Sequence, residues 1–410
     1  MPTTKIRTKS LKVSFEDTSI AFSSKSNFEL KKVYLIFASM NQNWLVKLGT
    51  FFIKLFLFLH FPIKKLIKST VFQQFCGGET LQECNKTIEN LDKAHIGTIL
   101  DYSVEGEDDE RSFDKTAKEI LSTIEKANQN IAIPFAVFKV TGIGSAELLE
   151  KVQLEQHLDE EEKQAFERVR ERMNMLCGRA ATLNVKVFID AEESWIQDTI
   201  DNLTYEMMAK YNHTKCLVYN TFQMYRKDMF CNLKVATENA RTQNYALGVK
   251  LVRGAYMEKE RQKSHEDNYC EPVHETKAAT DRDFNDALVF AVENREIISI
   301  CVGTHNEYSC KYLVDLMQQH NIAPSDSHFY FAQLLGMSDN ISFNLSMSGY
   351  NVAKYVPYGP VDAVMPYLFR RAEENTSVAG QASREFVLIK REMVRRKRLK
   401  TAPLTPKGGV

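Results

Sequence analysis

The sequence predicts a distorted (β/α)8 TIM barrel preceded by an N-terminal helical arm. Three observations predict it. Beyond Gly97, eight short apolar runs of strand character alternate with helical patterns. No early strand carries a complete phosphate fingerprint: Thr141-Gly-Ile-Gly-Ser-Ala lacks the third glycine of GxGxxG and reads as a loop. That sets the doubly wound alternative aside. Finally, unusual polar residues collect at strand ends, where barrels build their active sites.

Residues 1–94 look helical and show no strand alternation. The first residues, Met1-Pro-Thr-Thr-Lys-Ile-Arg, have no apolar core of signal-peptide type. The run at 45–61, LVKLGTFFIKLFLFLHF, falls short of the ~20 apolar residues that span a bilayer. Lys47 and Lys54 interrupt it, on one helical face, and Pro62 ends it. The expectation is an amphipathic helix packed on the body, ahead of one lying on a membrane surface. Strands are expected at 99–104, 134–140, 185–190, 216–220, 249–252, 297–304, 329–333 and 352–356. Helices are expected at 113–128, 147–181, 194–211, 223–240, 276–294, 308–320, 338–347 and 361–374. The basic run Arg391-Glu-Met-Val-Arg-Arg-Lys-Arg-Leu-Lys400 reads as a solvated helix or tail, with contact to anionic lipid as the alternative. The division is thus an arm, 1–94, a catalytic barrel, 95–384, and a basic C-terminal helix or tail, 385–410.

A chain of 410 residues, 44% of them hydrophobic, can bury a large core. Lys+Arg and Asp+Glu both number 53, which argues against nucleic acid as a partner. The eight cysteines form no CxxC pair, and the nine histidines show no metal-ligand spacing. The reading is reduced intracellular thiols and no metal site.

The strongest local pattern is Leu247-Gly-Val-Lys-Leu-Val-Arg-Gly-Ala-Tyr-Met-Glu-Lys-Glu260. Val249, Leu251 and Val252 mark a buried strand. Lys250 and Arg253 lie in or at the end of this run, and a buried cation needs an anionic partner or a ligand. Gly254 and Ala255 remove bulk where the strand ends, so that a flat ligand can approach the backbone. Lys139 sits late in the second strand, Asp190 ends the third and Asn220 the fourth. Thr304 and His305 end the sixth, and Tyr355 lies in the eighth. Each has an ordinary explanation: a buried lysine can pair with an aspartate, and Asp190 can cap the next helix. Six strands placing polar groups at one rim is hard to explain as packing. Arg370 and Arg371 follow on the helix after the eighth strand. They can converge on one carboxylate if that helix covers the mouth, or form a surface network with Glu373 and Glu374.

Together these motifs resemble the proline dehydrogenase family. The matching stretches are Phe135 to Lys139, Ile189-Asp-Ala-Glu-Glu193, Tyr219-Asn-Thr-Phe-Gln223, Lys250 to Tyr256, Thr304-His-Asn306, Tyr355 to Gly359 and Tyr367 to Glu374. The resemblance covers Phe75 to about Arg384, and it implies FAD held in the barrel without a Rossmann domain. It further implies oxidation of L-proline to Δ1-pyrroline-5-carboxylate by hydride transfer to flavin N5, with electrons passed to a membrane quinone. By the same resemblance Lys139, Arg370 and Arg371 would hold the substrate carboxylate, and Tyr355 would abut the ring. Asp190 would orient the cationic pocket, and Lys250 would lie near flavin N5. Ala191, Asn220, Lys250, Arg253, Gly254, Ala255, Lys277, Thr304 and His305 would line the cofactor. Bifunctional bacterial members carry Gln and Arg at the positions read here as Asn220 and Lys250. A separate pyrroline-5-carboxylate dehydrogenase would take the product. The expected location is cytoplasmic, or peripheral on the inner membrane, on the matrix side in a eukaryote.

Overall fold

The computed structural model describes residues 13–59, 61–104, 109–377 and 381–401, with backbone alone at 43, 54–58, 373–377, 381–383, 400 and 401. The extreme N-terminus, the tail beyond residue 401 and the side chains of Glu373 and Glu374 lie outside what is described.

The arm holds α1 (Thr18–Ala21), α2 (Asn27–Met40), α3 (Asn43–Phe58), α4 (Lys64–Ile67), α5 (Gln73–Phe75) and α6 (Asn85–Asp92). The barrel follows in chain order. It begins β1 (Ile96–Tyr102), α7 (Glu110–Asn128), β2 (Phe135–Phe138), α8 (Ala146–Gln153), α9 (Glu160–Leu183), β3 (Lys186–Ile189) and α10 (Ser194–Tyr211). It continues β4 (Val218–Gln223), α11 (Met229–Thr242), β5 (Leu247–Val252), α12 (Met257–Glu266), α13 (Lys277–Glu293), β6 (Ile298–Gly303) and α14 (Glu307–Gln319). It ends β7 (Phe329–Leu334), α15 (Asp339–Met347), β8 (Val352–Tyr358) and α16 (Val361–Ser377), and α17 (Gln381–Thr401) closes the described chain. The strands form a closed parallel barrel in sequence order, β1 pairing back onto β8.

The strand residues alternate. One set meets the surrounding helices in the main apolar core; the other fills the barrel with Ile99, Phe135, Val137, Phe188, Tyr219, Cys301, Ala332, Ala353 and Tyr355. An aromatic layer forms the floor. Phe135 and Phe188 stack with centroids 4.2 Å apart, and Tyr219 meets Phe135 edge-on at 5.5 Å. Gly248 makes room for this layer, since a Cβ there would lie 2.7 Å from Tyr219 Cγ.

Four expectations need correction. The helix expected from 223 starts at Met229, because the chain keeps pairing past Gln223: Met224 N–H donates to Val252 O (2.8 Å) and Tyr225 N–H to Arg253 O (2.7 Å). The helix expected over 147–181 is two, parted where Glu155 takes φ 51° and restarted by the Asp159–Glu162 capping box. Helix α12 was not foreseen at all; it has no apolar stripe and buries only Glu260 and Ser264. The basic C-terminal run is not simply solvated. Helix α17 packs on α2 and α1, Leu388 and Ile389 are buried, and Arg395 and Arg396 both pair with Glu392 at 2.7 Å. In α3 the packing expectation holds on one face only. Ile53 turns toward the arm's core, whereas Trp44, Leu48, Phe51 and Phe52 stay exposed.

Buried charges pin the arm and α17 to the barrel. Asp339 at the start of α15 meets Lys25 of the arm at 3.1 Å and Lys354 of β8 at 3.0 Å. Burial works against its carboxylate, yet the two lysines hold it down to about 2. Glu385 of α17 accepts the Ser338 N–H, and burial pushes its carboxyl up to about 7, with Asp339 adding to the effect. A carboxyl raised on folding stabilises the fold fully below its ordinary range, and this contribution is lost as pH rises through about 7. From about pH 5 to pH 8, therefore, wild type should lose roughly 2–3 kcal/mol of stability relative to Glu385→Gln. Urea unfolding of both proteins across that range checks this; parallel curves would contradict it.

Candidate active site

At the centre of the mouth, above the aromatic floor, Lys250 of β5 pairs with Asp190, which follows β3. Tyr355 of β8 donates its hydroxyl to the other oxygen of Asp190 at 2.8 Å. All three residues are buried, and the Lys250 ammonium lies over the rings of Phe188 (5.2 Å) and Tyr355 (4.9 Å). An ammonium held by one carboxylate and two ring faces has a fixed position and little water. Burial drives the Tyr355 hydroxyl well above its ordinary range, with Asp101 and Asp190 adding to it, so the group stays protonated as a donor.

Asp101 was missed by the sequence reading. It lies two residues beyond Ile99, on the barrel-facing side of β1, and accepts from Ser103. Burial raises its carboxyl, Lys139 opposes and Asp190 reinforces. The signal was present: an aspartate inside the apolar run Ile99-Leu-Asp-Tyr, at strand-end register, like the residues that were picked. Glu192 also went without a role. It is buried, accepts the Thr141 N–H at 3.0 Å and the Thr141 hydroxyl, and burial pushes it up to about 7 against the pull of Lys139. Lys139, at the end of β2, therefore stands among Asp101, Glu192 and Tyr256. Arg370 of α16 bears on the same Tyr256. Of the two arginines of α16, Arg370 thus bears on Tyr256 and Arg371 on His305.

A second group runs along the ends of β5 and β6. The Arg253 guanidinium does not enter the barrel; it lies 4.3 Å over the Phe284 ring and binds Asp281 (2.8 Å), Thr304 and Ser309 (3.0 Å). Lys277 starts α13 and pairs with the same Asp281, so Asp281 joins Lys277 to Arg253, which in turn donates to Thr304. His305 is placed by Ser338 Oγ, 2.9 Å from Nδ1. Burial, with the cations Lys354, Arg371 and Arg253 adding to it, lowers its pKa to about 3, so the imidazole is neutral. Arg371 is buried, its Cζ 5.0 Å from the Tyr367 ring, and its field on His305 links this group to α16. Ala191 is buried just after Asp190, whereas Ala255 is exposed.

Two sequence expectations change. Asn220 is not brought to the mouth: its Nδ2 donates to Asp201 of α10 at 2.8 Å, and its Oδ1 accepts from Thr221 N–H. By alternation it belongs to the outward set, opposite to Tyr219. The polar side chain that ends β4 on the inward set is Gln223, which is buried and donates to Glu192 O at 3.0 Å. The register error came from ending the strand at residue 220. Gly254 is needed for a different neighbour than expected. Its φ is 132°, and a Cβ there would lie 2.3 Å from the Tyr225 ring. Among the described residues no cluster of His, Cys, Asp and Glu has the makings of a metal site.

The comparisons bear on the family and the fold. The sequence model of the family described as proline dehydrogenase matches residues 84–384. The carbapenem antibiotics biosynthesis protein CarD of Pectobacterium carotovorum subsp. carotovorum is 35% identical over 328 residues, 80% of this chain and 85% of that protein. The mitochondrial proline dehydrogenase 1 of Dictyostelium discoideum is 34% identical over 430 aligned positions, 93% of this chain and 74% of that protein. Among solved structures, proline utilization A of Bdellovibrio bacteriovorus, inactivated by N-propargylglycine, superposes with TM-score 0.72 at 19% identity. That match covers 95% of this chain and 42% of the larger protein. The barrel mouth lies inside the matched region, and the chain belongs to the proline dehydrogenase family.

Proposed function

We propose that the protein oxidises L-proline to Δ1-pyrroline-5-carboxylate at the barrel mouth, the first step of proline catabolism, with FAD as cofactor. The observation that carries the reading is the buried Lys250–Asp190–Tyr355 group at the mouth of a barrel of this family.

The residues present fit a flavin. Gln223 Oε1 is buried and accepts no hydrogen bond from the described residues, as suits an acceptor facing a ring N–H. Arg253 acts on His305 and has Lys277 beside it across their shared Asp281, so two cations border that corner, as suits a pyrophosphate. The cofactor would be held by Ala191, Gln223, Arg253, Thr304 and His305, by the backbone at Gly254 and Ala255, and by Lys277 toward its phosphate or adenosine end. When bound, FAD supplies a two-electron acceptor.

The chain's own side chains do the rest. Lys139, Arg370 and Arg371 bind the substrate carboxylate and set the ring's orientation. Asp190 holds Lys250 in place, so that a cation stands ready where negative charge develops, without reorganisation. The aromatic floor excludes water. Tyr355, fixed by Asp190, forms a wall of the ring pocket. Electrons then pass to a membrane quinone, and the product passes to a separate pyrroline-5-carboxylate dehydrogenase. Relatives named as mitochondrial support a mitochondrial location in a eukaryote, where the matrix side of the inner membrane would bring the enzyme to its quinone. Among the described residues no helix is long and apolar enough to cross a membrane.

Incubation with L-proline and a soluble electron acceptor should yield the cyclic imine; its absence in FAD-loaded protein would contradict the proposal. Tyr355 sets the preference between substrates. A ring wall rejects the hydroxyl of trans-4-hydroxy-L-proline by contact and by leaving it unpaired. Wild type should prefer L-proline, and Tyr355→Ser should narrow the kcat/KM ratio by roughly tenfold or more, about 1.4 kcal/mol, mainly through weaker proline binding. An unmoved ratio in a flavin-loaded variant would remove Tyr355 from the pocket.

A further inference from the structure

Glu192 is the hub of the short segment between β3 and α10, which also carries Asp190. Its carboxylate accepts the Thr141 hydroxyl and, at 3.0 Å, the Thr141 N–H. Its carbonyl accepts Gln223 Nε2 at 3.0 Å, and its own N–H donates to Gln197 Oε1 at 2.7 Å. Gln197 is the fourth residue of α10 and is 1% exposed. Its Nε2 donates to Asp201 Oδ1 at 2.7 Å, one helical turn further on. The same oxygen accepts Asn220 Nδ2 at 2.8 Å, from the outward side of β4.

The directions of these bonds are fixed by what each group can do. Burial pushes the Asp201 carboxyl up to about 6 against the pull of the Asn220 and Gln197 amides, so at neutral pH it is ionised and only accepts. The Glu192 N–H only donates. Between the two, the Gln197 amide has one orientation, oxygen toward Glu192 and nitrogen toward Asp201. Gln223, Glu192 and Gln197 thus donate in one direction, each to the next, and the run ends on the Asp201 carboxylate. At the other end, Gln223 Oε1 is buried and without a partner among the described residues. A helix cap would account for the Gln197–Glu192 bond. It would not account for an anion that fixes the cap's amide, nor for a run that begins at an open acceptor in the mouth.

We propose that Gln197, set by Asp201, is a positioning residue for the cofactor: through Glu192 it fixes the Gln223 amide with its oxygen toward the flavin ring. Neither residue touches the flavin; both act through the main chain of Glu192. The inference rests on the flavin reading given above.

The full chain loaded with FAD is diluted, and release of the cofactor is followed by the rise in flavin fluorescence. Gln197→Met should release FAD roughly tenfold faster, because a Gln223 amide with a loosened anchor can turn its nitrogen toward the ring N–H. Gln223→Met should do about as much. The double variant should release FAD no more than about twofold faster than Gln223→Met alone, since Gln197 acts only through that amide. A cap that merely stabilised the fold would speed release equally in both backgrounds, in step with its loss in urea unfolding. Asp201→Ala leaves Gln197 in place and frees its amide to turn over. It should show the same dependence on Gln223, so the comparison survives a Gln197 variant that does not fold. Unchanged release in Gln197→Met, or equal acceleration in the two backgrounds, would overturn this inference and leave the flavin reading standing. A wild type that takes up no FAD would overturn the flavin reading, and this inference with it.

Discussion

Asp190→Ala should destabilise the protein by about 3–5 kcal/mol and remove nearly all turnover of L-proline. Two effects combine. The substitution strips the carboxylate from a buried ammonium, and an uncompensated charge above an aromatic floor is expensive. It also frees the Tyr355 hydroxyl from its 2.8 Å partner. The double variant Asp190→Ala/Lys250→Met separates structure from function. Removing the orphaned cation should restore much of the lost stability, because an apolar replacement of a buried pair costs little, whereas activity should not return. The measurements are urea unfolding and kcat/KM on the same preparations. A double variant no more stable than the single one would mean that the pair is not a desolvated ion pair. A double variant with near-wild-type turnover would remove both residues from the chemistry.

The second large effect is expected at Arg371. Arg371→Met keeps the stem that packs near Tyr367 and deletes the guanidinium. Losing a desolvated, charge-assisted contact to the substrate carboxylate costs about 2–5 kcal/mol, so KM for L-proline should rise roughly thirtyfold or more. Flavin content should stay normal. An unchanged KM in a folded, flavin-loaded variant would show that Arg371 does not hold the carboxylate.

The barrel was legible because parallel strands buried on both faces leave short apolar runs, and the polar residues that break them fall at one end. Lys139, Asp190, Lys250, Thr304, His305 and Tyr355 could be picked on that rule alone. Their partnerships could not. That Asp190 bridges Lys250 and Tyr355 depends on strand stagger, which brings residues 60 and 165 positions from Asp190 onto one carboxylate. Asn220 shows the sharpest failure. Side-chain direction alternates along a strand, so a boundary placed three residues early chose an outward residue and passed over Gln223. Arg253 reads as a site cation, but its side chain is committed to Asp281, which no spacing rule reveals. The reading of α3 as an amphipathic helix packed on the body holds on the Ile53 side, whereas Trp44, Leu48 and Phe51 stay exposed, which its two lysines alone did not foretell.

The central claim is that L-proline delivers two electrons to a flavin held in this barrel. Anaerobic addition of L-proline to the purified protein tests it most directly, followed by the visible spectrum. The account predicts a yellow protein whose long-wavelength flavin absorption bleaches on adding L-proline and returns with a quinone analogue. A flavin that is present but stays oxidised at saturating L-proline, or a protein that stays colourless even when FAD is supplied, would contradict it.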